Sequence, residues 1–486
     1  MKPRIALLAM ALLLSGCLST GPRAPHARLR DASTVPAQAS IVQLARAAAA
    51  WPDQHWWQAY GDPELDTLVE RGRADSPTVA IALARVRQAA ALEGVALAGL
   101  SPQANFAGRS NRQHFSANSN VPKPLAGNST WFNDASVGLG YEVDFWGKSR
   151  SAAEAAAGRL GAQRAEAQSA MLALSAAIVQ AYLRLDQLYV QRDLAQVALK
   201  QREQILALVA QRVDAQLDTR AELKQAEIGV PLARAQLAAL DEAIGLTRGQ
   251  LAALAGQGPD AAAAIERPRL VPRRLPGVPA ELPAALLGRR PELVALRWRI
   301  EAASAEAEVA KALFYPSLNL TALVGLQSLG FDRLLEGGSR SLGIGPAITL
   351  PLLDGGRLRG NLAARDAELD LAIEQYNAAV VEAMRDVVAQ LISLHWLGER
   401  VREEDQALEA AEQAYQLAAQ RYRSGLGNFL QVLLADTQVV AQRRSHAELA
   451  ARANELDVNL VRALGGGYGG TVAEHAPEPR NTDSRN

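Results

Sequence analysis

Cysteine is nearly absent from this sequence: Cys17 is the single one in 486 residues. That excludes an intramolecular disulfide framework and any multi-cysteine zinc site. An excess of charge is also absent, since 51 Lys and Arg balance 51 Asp and Glu. Nucleic-acid proteins usually carry a basic excess or stripe. Aromatic residues make up 5% against 49% hydrophobic, so the apolar share is mostly Ala, Leu and Val. Such a mixture favours long helices with small-residue packing over a large aromatic core. After the first residues, no stretch reaches the roughly 18 uninterrupted apolar residues that a spanning helix needs. Catalytic patterns are missing too. The six His are scattered without metal-ligand spacing, and no GxSxG element occurs. Gly147-Lys148-Ser149 lacks the earlier glycine of a P-loop, because Glu142 holds that place. An enzyme is therefore not expected, and neither is a metal or other cofactor.

The chain opens MKPRIALLAMALLLSGC. Lys2 and Arg4 form a positive n-region, and Ile5 to Leu14 is a signal-peptide h-region, too short to span. Leu14-Ser15-Gly16-Cys17 resembles the lipobox of bacterial lipoproteins, with cleavage before a Cys that then takes lipid. On that resemblance residues 1–16 are a signal peptide and Cys17 is the lipidation site. Leu18 in place of Asp implies routing to the outer membrane. Residues 17–50, rich in Ala, Pro, Ser and Arg, read as a tether.

The remainder repeats itself. Pro77 and Pro102 bracket an amphipathic helix, and Pro291 and Pro316 bracket another. Arg85 then falls on Arg299, Ala89 on Ala303, Val95 on Val309 and Asn105 on Asn319. SVGLG (136–140) resembles SLGIG (341–345), and AQRVDAQLDT (210–219) resembles AQRYRSGLGN (419–428). Three landmarks in one order indicate duplication. The first repeat covers 51–258 and the second 291–464. Between them lies a Pro-rich connector, 259–290, and 465–486 is a C-terminal tail.

Each repeat predicts two strands, at 103–113 and 135–146, then at 317–327 and 341–352. Val137, Leu139, Tyr141 and Val143 alternate with Ser136, Gly138, Gly140 and Glu142. Segments of about ten residues, apolar on one side and polar or small on the other, suit a membrane barrel with a wet interior. Alternation turns Glu142 and Asp144 toward that lumen, where acids lend cation preference. A salt-bridged structural role is the competing reading. Four strands cannot close a barrel, which needs at least about eight. Two copies supply eight strands and three supply twelve; an open lumen favours three. Gly147 to Ala215 and Gly356 to Ser424 are equally long, roughly 100 Å each at about 1.5 Å per residue. Helical hairpins are thus expected over 147–255 and 356–464. The fold class is mainly α with a β-barrel portion, built from a duplicated helix–strand–strand–helix–helix unit.

Several segments together resemble the TolC-like outer-membrane efflux proteins, in their lipid-modified, NodT-type branch. They are WWQAYGDPELDTLV (56–69), YEVDFWGKSR (141–150), LLGRRPEL (286–293), FYPSLNL (314–320), LPLLDGGRLRG (350–360), QRYRSGLGNFLQVL (420–433) and RALGGGY (462–468). The resemblance implies a homotrimer with a twelve-strand barrel, a periplasmic helical tunnel and an equatorial belt. It implies a periplasmic adaptor and an inner-membrane transporter of RND type as partners, and outer-membrane lipid as surroundings. Adaptor-docking tips would fall at Arg212, Leu217, Arg421, Gly425 and Leu426. Val213 and Gln216 depart there from the usual Tyr and Gly. The periplasmic constriction would involve Tyr422, Asn428, Leu430 and Asp436, with Leu434 where many relatives place an acid. The expected function is a passive duct for small molecules. A duct for secreted polypeptides and a non-conducting lipoprotein scaffold are the alternatives.

Overall fold

A computed structural model describes residues 26–30, 44, 50–271 and 288–469. The leader, Cys17, nearly all of the tether, the Pro-rich centre of the connector and the tail after 469 lie outside the described residues. The described elements run α1 (Pro63–Asp75), α2 (Pro77–Ala98), β1 (Gln103–His114), β2 (Ser129–Val143), α3 (Lys148–Asp214) and α4 (Arg220–Leu254). The second set runs α5 (Pro291–Ala312), β3 (Ser317–Leu329), β4 (Arg340–Thr349), α6 (Arg357–Arg423) and α7 (Phe429–Ala463). Repeated elements match in length: 22 residues for α2 and α5, 67 for α3 and α6, and 35 for α4 and α7.

The described residues fall into two compact units. The first comprises Val86–Gln163 and Leu296–Tyr376 with residues 26–29; the second holds the rest. The boundary falls inside α2, α3, α5 and α6. No described helix is long and apolar enough to cross a membrane.

The first unit carries one antiparallel sheet in the order β1-β2-β3-β4. Its ladders align the apolar positions strand by strand: Phe106 opposite Val137, Val137 opposite Val324, and Val324 opposite Leu342. β2 begins earlier than the apolar alternation suggests, because Ser129–Asp134, where adjacent Trp131 and Phe132 break that alternation, pairs with Arg109–His114. Ladder hydrogen bonds carry a strand past its apolar band. β2 stops at Val143, where Asp144 turns to cap α3. The ladders also correct one landmark of the repeat. Gln103 corresponds to Ser317, and their partners are Gly140 and Thr349. Ser136 therefore corresponds to Gly345, not to Ser341. Gly-rich strands specify register weakly, so local similarity slid along the strand.

Helix packing in this unit depends on small residues, as the composition implies. A Cβ on Gly158 would come within 3.0 Å of the Ala302 backbone, and one on Gly161 within 2.6 Å of the Trp298 ring. Ala310, Phe314, Leu358 and Leu362 form its small apolar cluster.

The larger core belongs to the second unit, around Trp57, Tyr60, Leu65, Ile178, Tyr182, Leu185 and Leu251. α1 starts at Asp62, whose side chain accepts from the Glu64 amide, and Pro63 pre-sets the first turn. Two buried phenols there find carboxylates. Tyr182 donates to Asp62 at 2.8 Å and Tyr60 to Asp457 at 2.7 Å. Burial and the Asp62 contact push the Tyr182 phenol far above its usual range, so it remains a donor. The WWQAYGD segment is thereby a packing element, since buried hydroxyls need partners.

Candidate functional site: helix tips and sheet faces

The turns joining α3 to α4 and α6 to α7 lie in the second unit and share one backbone design. The Leu217 amide donates to the Arg212 carbonyl at 2.8 Å, and the Leu426 amide to the Arg421 carbonyl at 2.9 Å. The Gln216 amide reaches Val213, and the Gly425 amide reaches Tyr422. This paired pattern ends helices through one left-handed residue. Gly425 has φ +71° and meets that demand without strain. Gln216 has φ 61° and bears a side chain in the same conformation. The following helices start from caps. Thr219 and Glu222 form a reciprocal capping box, and Asn428 accepts from the Gln431 amide.

Between the turns lies a cluster centred on Asp218. Arg212 binds it bidentately, Nε to Oδ2 at 2.8 Å and Nη2 to Oδ1 at 3.2 Å. The Tyr422 hydroxyl donates to Asp218 Oδ2. Arg212 Nη1 also donates to the Tyr422 carbonyl at 3.3 Å, and its guanidinium lies 4.6 Å from the Tyr422 ring centre. Tyr422 is 1% exposed and packs with Val209, Ala226, Phe429 and Val432. Burial works against the charge on Asp218, but the hydrogen bonds from Arg212 and Tyr422 outweigh it and hold its pKa below the usual range. Burial, then the bond to Asp218, raises the Tyr422 phenol. One charge-assisted network thus ties the first turn to the second.

The site residues named from sequence separate into two groups. Leu217 and Leu426, 65% and 73% exposed, lie at the surface with Arg421, Gly425 and Leu430. Arg212 and Tyr422 face inward, and Asn428 serves as a helix cap. Asp436 is 2% exposed and lies 3.4 Å from Arg202 Nε, and Arg202 Nη1 donates to the Gly229 carbonyl. Burial raises the Asp436 pKa, and Arg202 and Arg443 partly offset that. Leu430 and Leu434 are the large apolar residues exposed on that helix. Asp218 and Arg202 escaped sequence reading. The available signal was that Asp218 occupies, in the first turn, the place of Gly427 in the second.

On the sheet, Glu142 is salt-bridged to Lys148 at 2.7 Å. Asp144 accepts from the Ser149 and Arg150 amides at 3.1 and 2.8 Å, at the start of α3. Asp354 does the same for α6 through the Gly356 and Leu358 amides, and those bonds lower its pKa. A carboxylate thus complements the positive N-terminal end of each 67-residue helix. Among the described residues no cluster of His, Cys, Asp and Glu could hold a metal ion.

Known proteins resemble the chain along most of its length. The family model described as "Outer membrane efflux protein" matches residues 68–257 and 282–466. The fusaric acid resistance protein FusA of Burkholderia cepacia is 40% identical over 75% of this chain and 69% of its own. The multidrug resistance outer membrane protein MdtP of Escherichia coli K12 is 34% identical over 96% of this chain and 97% of its own. Among solved structures, the outer membrane protein VceC of Vibrio cholerae superposes with a TM-score of 0.81 at 35% identity, covering 86% of this chain and all of that one. Two family segments that coincide with the two structural repeats, on this fold, place the chain in the outer membrane efflux protein family.

Proposed function

We propose that this chain is the outer-membrane duct of a tripartite export system, carrying small molecules that an inner-membrane transporter delivers through a periplasmic adaptor. The observation that supports this most is the four-stranded sheet, apolar on one face and small or polar on the other. Among the described residues, the outer edges of β1 and β4 have no strand partner. An open edge in lipid costs several kcal/mol for each unsatisfied backbone group, on the order of the penalty for burying a free amide. Three copies joined β4 to β1 close a twelve-strand barrel. Cys17 carries lipid and holds the chain to the outer membrane. Leu217, Arg421, Gly425 and Leu426 meet the adaptor, and Leu430 and Leu434 narrow the periplasmic entrance. The Arg212–Asp218–Tyr422 network then holds the entrance closed, since it ties one hairpin turn to the other. The names of FusA and MdtP, which refer to fusaric acid and multidrug resistance, favour small-molecule cargo.

Purified detergent-extracted protein should be a trimer with low conductance in a planar bilayer, and Asp218→Ala should raise that conductance. A monomer without conductance, in both forms, would overturn the duct. Cys17→Ser should abolish incorporation of labelled fatty acid; retained label would overturn the anchor.

A further inference from the structure

The two faces of the sheet differ in charge as well as polarity. The face bearing Phe106, Val137, Val324 and Ile344 has no Asp or Glu at any position of its four strands. Its charged residues and imidazole are Arg112 and His114 on β1 and Arg340 on β4, all exposed, and Tyr141 on β2 adds a phenol. Both strand acids, Asp134 and Glu142, are on the opposite face with Arg109. Arg112, His114 and Arg340 also share one end of the sheet, where β1 and β3 finish and β2 and β4 begin. The long helices start from the other end. Arg112 lies opposite Trp131, which packs on Phe331 at 5.4 Å. Neither arginine has an ion-pair partner among the described residues. Below them, Ser110, Asn133 and Ser328 are satisfied within the sheet: Ser110 donates to Asn133 at 2.7 Å, and Asn133 and Ser328 donate to the Gly330 carbonyl. The arginines have no such internal answer. On a lipid-facing surface a cation is tolerated at headgroup level and not in hydrocarbon.

The duplication sets which residues meet when copies join, so this step rests on the trimeric-duct reading. β2 pairs with β3 with Val137 opposite Val324. The counterpart of Val137 in the second repeat is Pro346, and that of Val324 in the first is Ser110. The seam therefore sets Pro346 of one copy opposite Ser110 of the next. Continuing outward, Ile344 meets Arg112 and Leu342 meets His114. Arg340 then lies one apolar-face position beyond, diagonal to His114 at roughly 7–8 Å between backbones. The two arginines and the imidazole form one strip across the seam, assembled from two copies. Cations gathered on one strip next to hydrocarbon repel one another, and an anion among them relieves that repulsion. Guanidinium groups bind phosphate bidentately.

We propose that each seam binds the phosphate groups of an outer-leaflet glycolipid through Arg340 of one copy and Arg112 and His114 of the next. The site is incomplete in a single chain and occurs three times in a trimer. A phosphorylated glycolipid fits because the strip adjoins the apolar band, where acyl chains lie, and is flanked by Trp131. Aromatic residues of that kind mark membrane interfaces.

Native mass spectrometry of the purified trimer tests it, with bisphosphorylated lipid A and its dephosphorylated form as probes. Wild type should retain up to three phosphorylated molecules, with at least about a ten-fold preference over the dephosphorylated form. Arg112→Gln with Arg340→Gln should reduce that preference below about two-fold while trimer and conductance persist. If that pair fails to assemble, Arg112→Lys with Arg340→Lys keeps the charge and should lower the preference by about three-fold, because lysine lacks the fork. Equal retention of both lipids overturns the proposal, as does an unchanged preference in the variants. Competition by millimolar inorganic phosphate or by phosphatidylglycerol as effective as lipid A itself overturns the glycolipid assignment. The register has its own check: Asn111→Cys with Gly345→Cys should form a disulfide between copies, whereas Asn111→Cys with Ser341→Cys should not. The reverse pattern overturns the seam. A conducting trimer without lipid preference sinks this inference alone, while a monomer sinks the duct reading beneath it.

Discussion

The two helix turns of the second unit have the same backbone and opposite chemistry. The second turn is Ser424-Gly425-Leu426-Gly427, with glycine where φ is positive. The first is Ala215-Gln216-Leu217-Asp218, with a strained Gln216 and a carboxylate where the second has Gly427. The second turn meets its left-handed position with glycine. The first is stabilised by what it reaches: Arg212 beside it and Tyr422 on the other hairpin. Duplication supplied two copies of one turn, and divergence made one of them the tie between hairpins.

Breaking the tie should have the largest effect. Asp218→Ala leaves the Arg212 guanidinium, 16% exposed, without its carboxylate. Removing one partner of a buried pair costs about 3 kcal/mol or more. Hydrogen exchange over residues 205–230 should accelerate by about a hundred-fold, with little change around Gly425. Equal acceleration at both turns would mean that they are not distinct. Acidification should give a comparable loss through the same group. The folded-state pKa of Asp218 is depressed, so its contribution is complete above its unfolded value, about 4. Protection should be flat from pH 7 to about 5 and fall only as pH drops through the lowered value. Asp218→Asn should abolish that acid limb. Tyr422→Phe keeps the ring on Arg212 and Phe429 and removes one bond to a carboxylate, a loss of about 1.5 kcal/mol. Exchanging the turn residues sharpens the comparison further. Gln216→Gly should stabilise the first turn and Gly425→Ala destabilise the second, each by about 1 kcal/mol in thermal unfolding. The exposed leucines should matter least for stability. Leu217→Ser and Leu426→Ser should each stay within about 0.5 kcal/mol. Under the docking proposal both still weaken adaptor capture in a pull-down. Retained capture in either variant removes that leucine from the docking surface.

Much of the fold was legible because it is written in periodicity and punctuation. Pro77, Pro102, Pro291 and Pro316 bound the short helices. Alternation of Val137, Leu139, Tyr141 and Val143 marked β2, and the equal helices followed from equal spacing. The first part of β2 was not legible. Ser129–Asp134 has no apolar alternation and is a strand because β1 hydrogen-bonds to it. The repeat register was misleading where Gly and Ser recur at every second place. Residues of the site were legible as locations and less so as roles. Arg212, Tyr422 and Asp436 were identified at the tips, yet their side chains point into the unit. Glu142 lies on the polar side of β2, whereas Asp144 lies past its end; each meets a specific partner at the start of α3.

Sequence by itself determined the duplication, the element lengths and the two-faced strands, because each depends on residues a few positions apart. The charge asymmetry of the sheet needed the ladders, because Asp134 lies in the part of β2 that alternation did not mark. Only the tertiary structure decided which polar groups meet. Asp218 finds Tyr422, Asp436 finds Arg202 and Tyr60 finds Asp457 across some two hundred or more residues of chain. Such pairings follow from how hairpins pack and from the cost of leaving a buried polar group alone. No local pattern encodes that cost, so it becomes visible only when the helices lie side by side.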